Sequence, residues 1–243
     1  QAMAEQVASH APAKEFAVLF EDDSLLAINK PAGVAVHGGS GISFGVIEQL
    51  RMARPQAKFL ELVHRLDRET SGILLVAKKR SALKNLQDQF RERETGKTYL
   101  AMVIGQWPSN KKVLDKPLHK YLLPDGERRV KVVAKDDPDG MRSVTLVQVR
   151  QRLPGYTLLE VTIKTGRTHQ IRLHAAYGLG CPVVGDPFYG ATEGAFSAQA
   201  QPMMLHAEAV EIPLQPSKPA IAVTAPLPEA MAALIAAQGL GGF

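Results

Sequence analysis

Apolar residues recur along the chain at two spacings, and the more frequent one is typical of β-strands. Seven segments are continuous or alternating apolar runs rich in β-branched residues, and clusters of Pro, Gly or Asp separate most of them. These segments are LLAINK, ILLVAKK, KTYLAMVIG, RRVKVVAK, SVTLVQVRQ, YTLLEVTIK and MMLHAEAVEI. Each is predicted to be a strand, and the Lys-Pro-Ala-Gly turn at the end of the first is predicted to lead into a further short strand, VAVHG.

Three segments have the spacing of a helix instead, namely GISFGVIEQLRMA, SALKNLQDQFRERE and PEAMAALIAAQ. The clearest is the second, in which Ser81 is predicted as the N-cap, Leu83, Leu86 and Phe90 form an apolar stripe, and Gly96 ends the helix. Strands and helices do not alternate regularly. We therefore predict an α+β fold, with a mixed, mostly antiparallel β-sheet core and flanking helices and loops.

The composition is that of an ordinary globular protein, with 45% hydrophobic and 22% charged residues in a chain of 243. Residues 1–15 lack apolar periodicity and are predicted to be a tail or linker, followed by one domain over residues 16–243. No apolar run of about 18 residues suggests a membrane span. The single cysteine, Cys181, cannot form an internal disulfide, so we expect a cytoplasmic protein. A monomer is also expected.

The net charge of +5 is unevenly distributed along the chain. Residues 1–77 carry 7 Lys and Arg against 9 Asp and Glu, residues 78–172 carry 21 against 10, and residues 173–243 carry 1 against 5. A middle third this basic predicts a positive surface, which is typical of proteins that bind a polyanion such as RNA. The alternative is a basic face that only contacts solvent.

Ionisable side chains cluster in the segment HRLDRE, which ends in a Glu-Thr-Ser-Gly turn before a buried strand. Asp67 is therefore predicted to lie on a loop at the edge of the core, flanked by Arg65 and Arg68. Guanidinium groups beside a carboxylate keep it ionised and hold it in one orientation, which suits a nucleophile or an electrostatic stabiliser. The alternative is an ion pair that only steadies a surface loop.

A second polar cluster lies in KTGRTHQIRLHAAYGLG, which follows a predicted strand and begins a predicted helix. Thr168 is the predicted N-cap, and Gly178 or Gly180 is predicted to end the helix. Arg167 and Arg172 near the helix N-terminus would suit a phosphate or a carboxylate, unless they are solvated charges beside an ordinary cap. His169 and His174 are five positions apart, a spacing that does not bring two side chains onto one metal ion.

Four segments in this order resemble the signature segments of the RluA-type pseudouridine synthases, and most closely those of the RluC branch. They are HRLDRETSGILLVAKK, the Lys-Thr-Tyr that ends at Tyr99, GRTHQIRLH and the Leu-His-Ala of residues 205–207. PLHKYLLPDGERRVKV is also similar to a segment of RluC-like enzymes. The resemblance extends from about Phe16 to Ala232, which is nearly the whole chain.

The resemblance implies isomerisation of uridine to pseudouridine in RNA, in a central RNA-binding cleft and without a cofactor or a metal. The target nucleotide must leave its stack to reach such a site. Asp67 matches the catalytic aspartate, which either attacks C1′ of the ribose or abstracts its C2′ proton. Arg167 matches the arginine that pairs with this carboxylate. Tyr99 matches the aromatic residue that stacks on the target uracil.

The resemblance also implies which residues contact RNA. Arg65 matches the arginine that fills the space left by the flipped nucleotide. Backbone-contact or supporting roles are expected for Arg68, His169 and Arg172. The lysines and arginines of residues 78–135 are expected to line the RNA-facing surface, including Lys111, Lys112, Arg128, Arg129 and Lys131.

Similarity to the RluC branch suggests 23S ribosomal RNA as the substrate, with transfer RNA as the second candidate. RluC-like relatives usually begin with a small additional RNA-binding domain, for which the residues before Phe16 are too few. A non-catalytic RNA-binding module is the alternative from another functional class. A metal-dependent nuclease or phosphotransferase would need convergent carboxylates or a phosphate-binding loop, and neither is visible in the sequence.

Overall fold

A computed structural model describes residues 11–39, 41, 44–92, 96–163, 166–190, 202–213 and 220–239. The chain forms two compact units, residues 1–96 with 207–226 and residues 97–206 with 227–243. The elements are, in chain order, β1 (Val18–Glu21), β2 (Leu25–Lys30), α1 (Val46–Ala53), β3 (Glu61–Leu62), β4 (Ser71–Ala77), α2 (Arg80–Glu92), β5 (Gly96–Ile104), β6 (Val113–Asp115), β7 (Leu118–Leu122), β8 (Arg128–Val132), β9 (Val144–Leu153), β10 (Tyr156–Ile163), α3 (Gln170–Leu173), a π-helical segment (His174–Gly178), β11 (Leu205–Ile212), β12 (Ile221–Thr224) and α4 (Glu229–Gly239).

The first unit is built on a sheet in which β1, β2, β4 and the Ala207–Ile212 part of β11 are neighbours in that order. β3 pairs with β4 and β12 pairs with β11, both in antiparallel orientation. Every residue of β4 is buried, so both faces of this strand are covered. That burial explains why β4 reads as a continuous apolar run rather than as an alternating one. The apolar stripe of α2 packs on one face through Leu83, Leu86 and Phe90.

The second unit contains an antiparallel sheet in the order β5, β10, β9 and β6. α4 packs on this sheet, where Met231 and Leu234 join an apolar cluster that includes Leu100, Met102 and Leu158. β7 and β8 form a separate two-stranded antiparallel hairpin. At its root, Leu118 and Met141 form an antiparallel β-bridge.

The predicted α+β class with a mostly antiparallel sheet is confirmed. Three local predictions are wrong. VAVHG forms no strand beyond the turn, because the carbonyls of Ala35 and Val36 accept the N–H groups of Val46 and Ile47 at the start of α1, at 2.9 and 3.1 Å. Ser81 is not the N-cap of α2, which begins one residue earlier, at Arg80. Thr168 is not the N-cap of α3, since His169 occupies that position.

The region predicted as a tail makes contacts from residue 11 onwards. Ala11 is 5% exposed, and the Lys14 N–H donates to the carbonyl of Gln49 at 3.2 Å. Glu15 forms an ion pair with Arg54, at the end of α1, at 2.8 Å. Residues 1–10 lie outside the described part of the chain. In the described ranges no helix is both long and apolar enough to cross a bilayer.

Candidate active site

Asp67 lies on the loop that joins β3 to β4, as the polar cluster predicts. Leu66 and Thr70 anchor this loop in the core, with 7% and 2% of their surface exposed. The Thr70 N–H donates to the carbonyl of Asp67 at 3.0 Å and closes a turn. Asp67 itself is half-buried, while Arg65 and Arg68 are exposed. The loop therefore holds one carboxylate at the edge of the core between two exposed guanidinium groups.

The buried ammonium group of Lys30 supports this loop through hydrogen bonds. Lys30 has no exposed surface, and its Nζ donates to the carbonyls of Pro31, Val34 and Arg68 at 2.8, 2.7 and 2.9 Å. Burial lowers the pKa of Lys30 to about 8, although the nearby carboxylates of Glu69 and Asp67 favour its charged form. The Lys-Pro-Ala-Gly turn and the Asp67 loop are thus held by one side chain, a role that the sequence analysis missed.

Arg68 adds a second connection between the same two segments. Its Nε donates to the carbonyl of Gly33 at 3.0 Å, and the Gly33 N–H donates to the carbonyl of Arg68 at 2.9 Å. Gly33 has a φ of 89°, which favours glycine at this turn. Arg68 thus has a structural contact in addition to its predicted contact with the RNA backbone, and the latter stays a prediction.

Gly72 lies in β4 just after the Asp67 loop and allows this part of the chain to lie close to Ala207 of the Leu-His-Ala segment. Its φ is 109°, and a Cβ at this position would lie 2.2 Å from the carbonyl oxygen of Ala207. The start of β4 and the backbone of β11 therefore approach more closely than any side chain would allow. The Asp67 loop enters the sheet at this close contact.

Tyr99 lies on β5 of the second unit, opposite Val161 of β10, and is 7% exposed. Lys97 precedes it by two positions and so shares its face of the strand. Burial lowers the pKa of Lys97 to about 8. The predicted stacking of Tyr99 on a base stays a prediction.

Arg167 is exposed and donates hydrogen bonds from both its backbone and its side chain. Its N–H donates to Oε1 of Gln170 at 3.2 Å, and its Nε donates to the carbonyl of Arg142 at 3.4 Å. Arg167 and Tyr99 belong to the second unit and Asp67 to the first. The pairing of Arg167 with Asp67 stays a prediction.

Arg172 is the buried arginine of the same segment, with 1% of its surface exposed. Its Nε and Nη2 donate to the two carboxylate oxygens of Asp186 at 2.9 and 2.7 Å. The guanidinium carbon lies 5.3 Å from the ring centres of both Phe188 and Tyr189. A side chain this buried cannot lie against RNA at the protein surface. Of the two roles predicted for Arg172, the geometry favours support of the segment.

His169 packs against Phe188 and Tyr189, the two rings that also lie beside Arg172. Its backbone is in the left-handed conformation, with a φ of 56°. Its Nδ1 lies 2.8 Å from the hydroxyl of Tyr189, and its ring stacks on Phe188 with centres 5.9 Å apart. His169 is half-buried and follows Arg167 by two positions in the sequence. Its predicted contact with RNA stays a prediction.

The basic residues predicted to face RNA lie at the surface of the second unit. Lys111 and Lys112 precede β6, and Arg128, Arg129 and Lys131 lie on β8. All five are exposed. The ammonium of Lys131 lies 5.0 Å from the ring centre of Tyr121 on the paired strand. Their accessibility satisfies a requirement for binding RNA, while the binding itself stays a prediction.

Comparison with known proteins shows which family the chain is similar to. The sequence profile described as RNA pseudouridylate synthase matches residues 24–177. The chain is 47% identical over 224 residues to "Ribosomal large subunit pseudouridine synthase C" of Haemophilus ducreyi. This match covers 90% of this chain and 68% of that protein. It is 54% identical over 176 residues to the Escherichia coli protein of the same name, covering 72% of this chain and 54% of that protein. The chain thus spans between about half and two thirds of the length of these relatives.

Solved structures agree with the sequence matches. "Human RNA Pseudouridylate Synthase Domain Containing 4" superposes with a TM-score of 0.76 at 25% identity, over 97% of this chain and 95% of that one. "Human RNA Pseudouridylate Synthase Domain Containing 1" superposes with a TM-score of 0.73 at 24% identity, over 93% and 95%. The second likeness concerns the fold alone.

Proposed function

Because the chain belongs to the RNA pseudouridylate synthase family, we propose that it isomerises uridine to pseudouridine in RNA of the large ribosomal subunit. The observation that carries this proposal is the match of residues 24–177 to the family, together with relatives named for the large ribosomal subunit. Three of the four segments that led to the resemblance, from the Asp67 loop to GRTHQIRLH, lie inside the matched residues.

Asp67 is the proposed catalytic residue. It acts at the ribose of a uridine that has left its stack, either by attack on C1′ or by removal of the C2′ proton. Unstacking costs a few kcal/mol, which contacts with the flipped nucleotide must offset. Tyr99 would stack on the uracil, and Arg65 would enter the vacated space, where a planar guanidinium can stack and donate hydrogen bonds.

Two arginines are candidates for the guanidinium that faces Asp67. The sequence resemblance assigns this role to Arg167, whose exposed guanidinium donates a long hydrogen bond to the carbonyl of Arg142. Arg172 has the property that the role requires, since its guanidinium is held in a fixed position by Asp186. The test compares the turnover of Arg167→Ala and of Arg172→Lys at equal folded fraction. The arginine whose substitution abolishes turnover is the one that faces Asp67.

The first test is conversion of uridine in unmodified transcripts of 23S ribosomal RNA and of transfer RNA, with EDTA present, followed by nucleoside analysis. We expect pseudouridine in the ribosomal transcript. Asp67→Asn is expected to lower the rate by at least about a thousandfold, because it removes the reacting carboxylate. Asp23→Asn, an exposed aspartate of the same unit, is the matched control and is expected to keep the parent rate.

Three outcomes would contradict the proposal. Bound but unchanged RNA would indicate a non-catalytic RNA-binding module. Metal-dependent cleavage would indicate a nuclease, and conversion of the transfer RNA alone would transfer the proposal to that substrate.

A further inference from the structure

A chain of hydrogen bonds leads from the Arg167 segment into the interior of the second unit. The side chain of Gln170 accepts the Arg167 N–H through Oε1, and its Nε2 donates to the carbonyl of Val144 at 2.9 Å and to the hydroxyl of Thr145 at 3.0 Å. That hydroxyl lies 2.8 Å from Nδ1 of His174, whose Nε2 lies 2.8 Å from the carbonyl oxygen of Lys116. Gln170, Thr145 and His174 are 2%, 1% and 0% exposed.

The chemistry of the partners determines the direction of each bond. A carbonyl oxygen only accepts, so Nε2 of His174 must donate to Lys116. In the neutral ring Nδ1 is then the acceptor and takes the single hydroxyl proton of Thr145, while that hydroxyl oxygen accepts from Gln170. Each of these three bonds thus has one donor and one acceptor, and His174 is held in a single tautomer.

The far end of the chain is the root of the basic hairpin. Lys116 precedes β7, and its N–H donates to the carbonyl of Ser143 at 3.2 Å. Leu118 and Met141 exchange backbone hydrogen bonds at 2.9 and 2.8 Å, which closes the root. The Nε of Arg167 reaches the carbonyl of Arg142 in the same stretch. The Arg167 segment and the hairpin are therefore joined at one place by directional bonds.

We propose that Gln170, Thr145 and His174 are positioning residues that hold the segment of Arg167 and Arg172 in register with the root of the β7–β8 hairpin. RNA bound along the hairpin would then reach Arg167 in one geometry. This inference rests on the proposed function. Apolar side chains would fill the same space without directional bonds, whereas a satisfied polar chain restricts its members to one arrangement.

The test separates positioning from general support of the fold. Thr145→Val preserves the shape of the side chain and removes the hydroxyl, whereas Thr145→Ser retains it. We expect Thr145→Val to lower the single-turnover rate at saturating RNA at least fivefold, with the Kd for RNA changed less than threefold, and Thr145→Ser to restore the rate.

Thr157→Val is the matched control. Thr157 is also fully buried in the second unit, but its hydroxyl bonds Gly105 and Trp107 and lies outside the hydrogen-bond chain. We expect it to lower Tm and to leave the rate within twofold. A Thr145→Val rate reduced less than fivefold, or an equal reduction in Thr157→Val, would overturn the proposal.

A second measurement does not depend on activity. Thr145→Val is expected to raise the hydrogen-exchange rate of the Arg167 amide at least tenfold, and to leave unchanged the amide of Val184, which donates to Met102 in the core at 2.9 Å. If the parent protein makes no pseudouridine, the proposed function fails while this exchange measurement still decides the positioning role. Unchanged exchange at Arg167 would refute it.

If Thr145→Val does not fold, His174→Asn interrupts the chain at its other end. Asparagine keeps an acceptor near the position of Nδ1 and loses the donor to Lys116. The same fall in rate and the same rise in exchange at Arg167 are expected, and parent-like values would refute the proposal.

Discussion

Lys30 shows how one side chain joins two segments that are distant in the sequence. Its three carbonyl acceptors come from the Lys-Pro-Ala-Gly turn and from the Asp67 loop. With a pKa of about 8, the side chain is mostly charged at neutral pH despite its burial. An apolar residue of similar length would leave those carbonyls without this donor, and an unsatisfied buried carbonyl costs about 1–3 kcal/mol.

We therefore expect Lys30→Met to lower the free energy of unfolding by about 2 kcal/mol or more and to reduce pseudouridine formation. Urea denaturation measures the first effect and single-turnover kinetics the second. Lys58→Met, which changes an exposed lysine of the same unit, is the control and should alter neither value. A Lys30→Met protein as stable as the parent would show that the carbonyls find other donors.

At the scale of elements, the β7–β8 hairpin is a two-stranded sheet, which is marginal by itself. Its root supplies the missing support through the backbone bonds of Leu118 with Met141 and of Pro117 with Val133. Lys120, Arg128, Arg129 and Lys131 place four exposed cations on its two strands. A supported strand pair with exposed cations is suited to contact a phosphate backbone.

We expect Arg128→Gln combined with Arg129→Gln to weaken RNA binding and to flatten its salt dependence, because each lost phosphate contact reduces the slope of log K against log salt by about 0.7 for a single strand. Binding titrations at several salt concentrations measure both effects. Lys14→Gln combined with Lys58→Gln removes the same charge from exposed positions of the first unit, outside the basic stretch of residues 78–135. An equal loss in this control would mean that net charge alone governs binding.

For the whole molecule, two groups in different units are expected to make stability depend on acid. Burial lowers the pKa of His174, and the Lys116 ammonium acts in the same direction while the Lys116 carbonyl and Asp115 oppose it. The hydrogen bonds of Arg54 and then of Lys78 lower the pKa of Glu21 to about 2. Both groups bind protons more weakly in the folded state than in the unfolded chain, so stability falls as the pH falls.

The two groups act in different pH ranges. His174 is expected to cost stability as the pH falls below about 6.5, the ordinary histidine value. The contribution of Glu21 is complete above 4.5 and is lost as the pH falls towards about 2. We expect His174→Gln to flatten the dependence of Tm on pH just below about pH 6.5. Glu21→Gln is expected to flatten it between pH 4.5 and about 2. Curves parallel to that of the parent would contradict these assignments.

Short-range patterns predicted most of the long strands and the polar loop of Asp67. β4, β5, β9 and β10 extend over 7 to 10 residues, which is enough for a strand spacing to be recognised. β1, β3, β6 and β12 extend over 2 to 4 residues and were missed, because so few positions define no period. β7 was missed since its exposure alternates around polar residues and only pairing with β8 identifies it as a strand.

The sequence by itself determined the fold class, the family and the placement of Asp67 at the edge of the core, because periodicity and motif order are properties of neighbouring residues. Only the tertiary structure decided that Arg172 is buried on Asp186, that Lys30 supports the Asp67 loop, and that Gln170, Thr145 and His174 form one chain of hydrogen bonds. The partners in these contacts are separated by 14 to 38 residues. A polar side chain is buried only where distant segments bring it a partner, and no local pattern records that encounter.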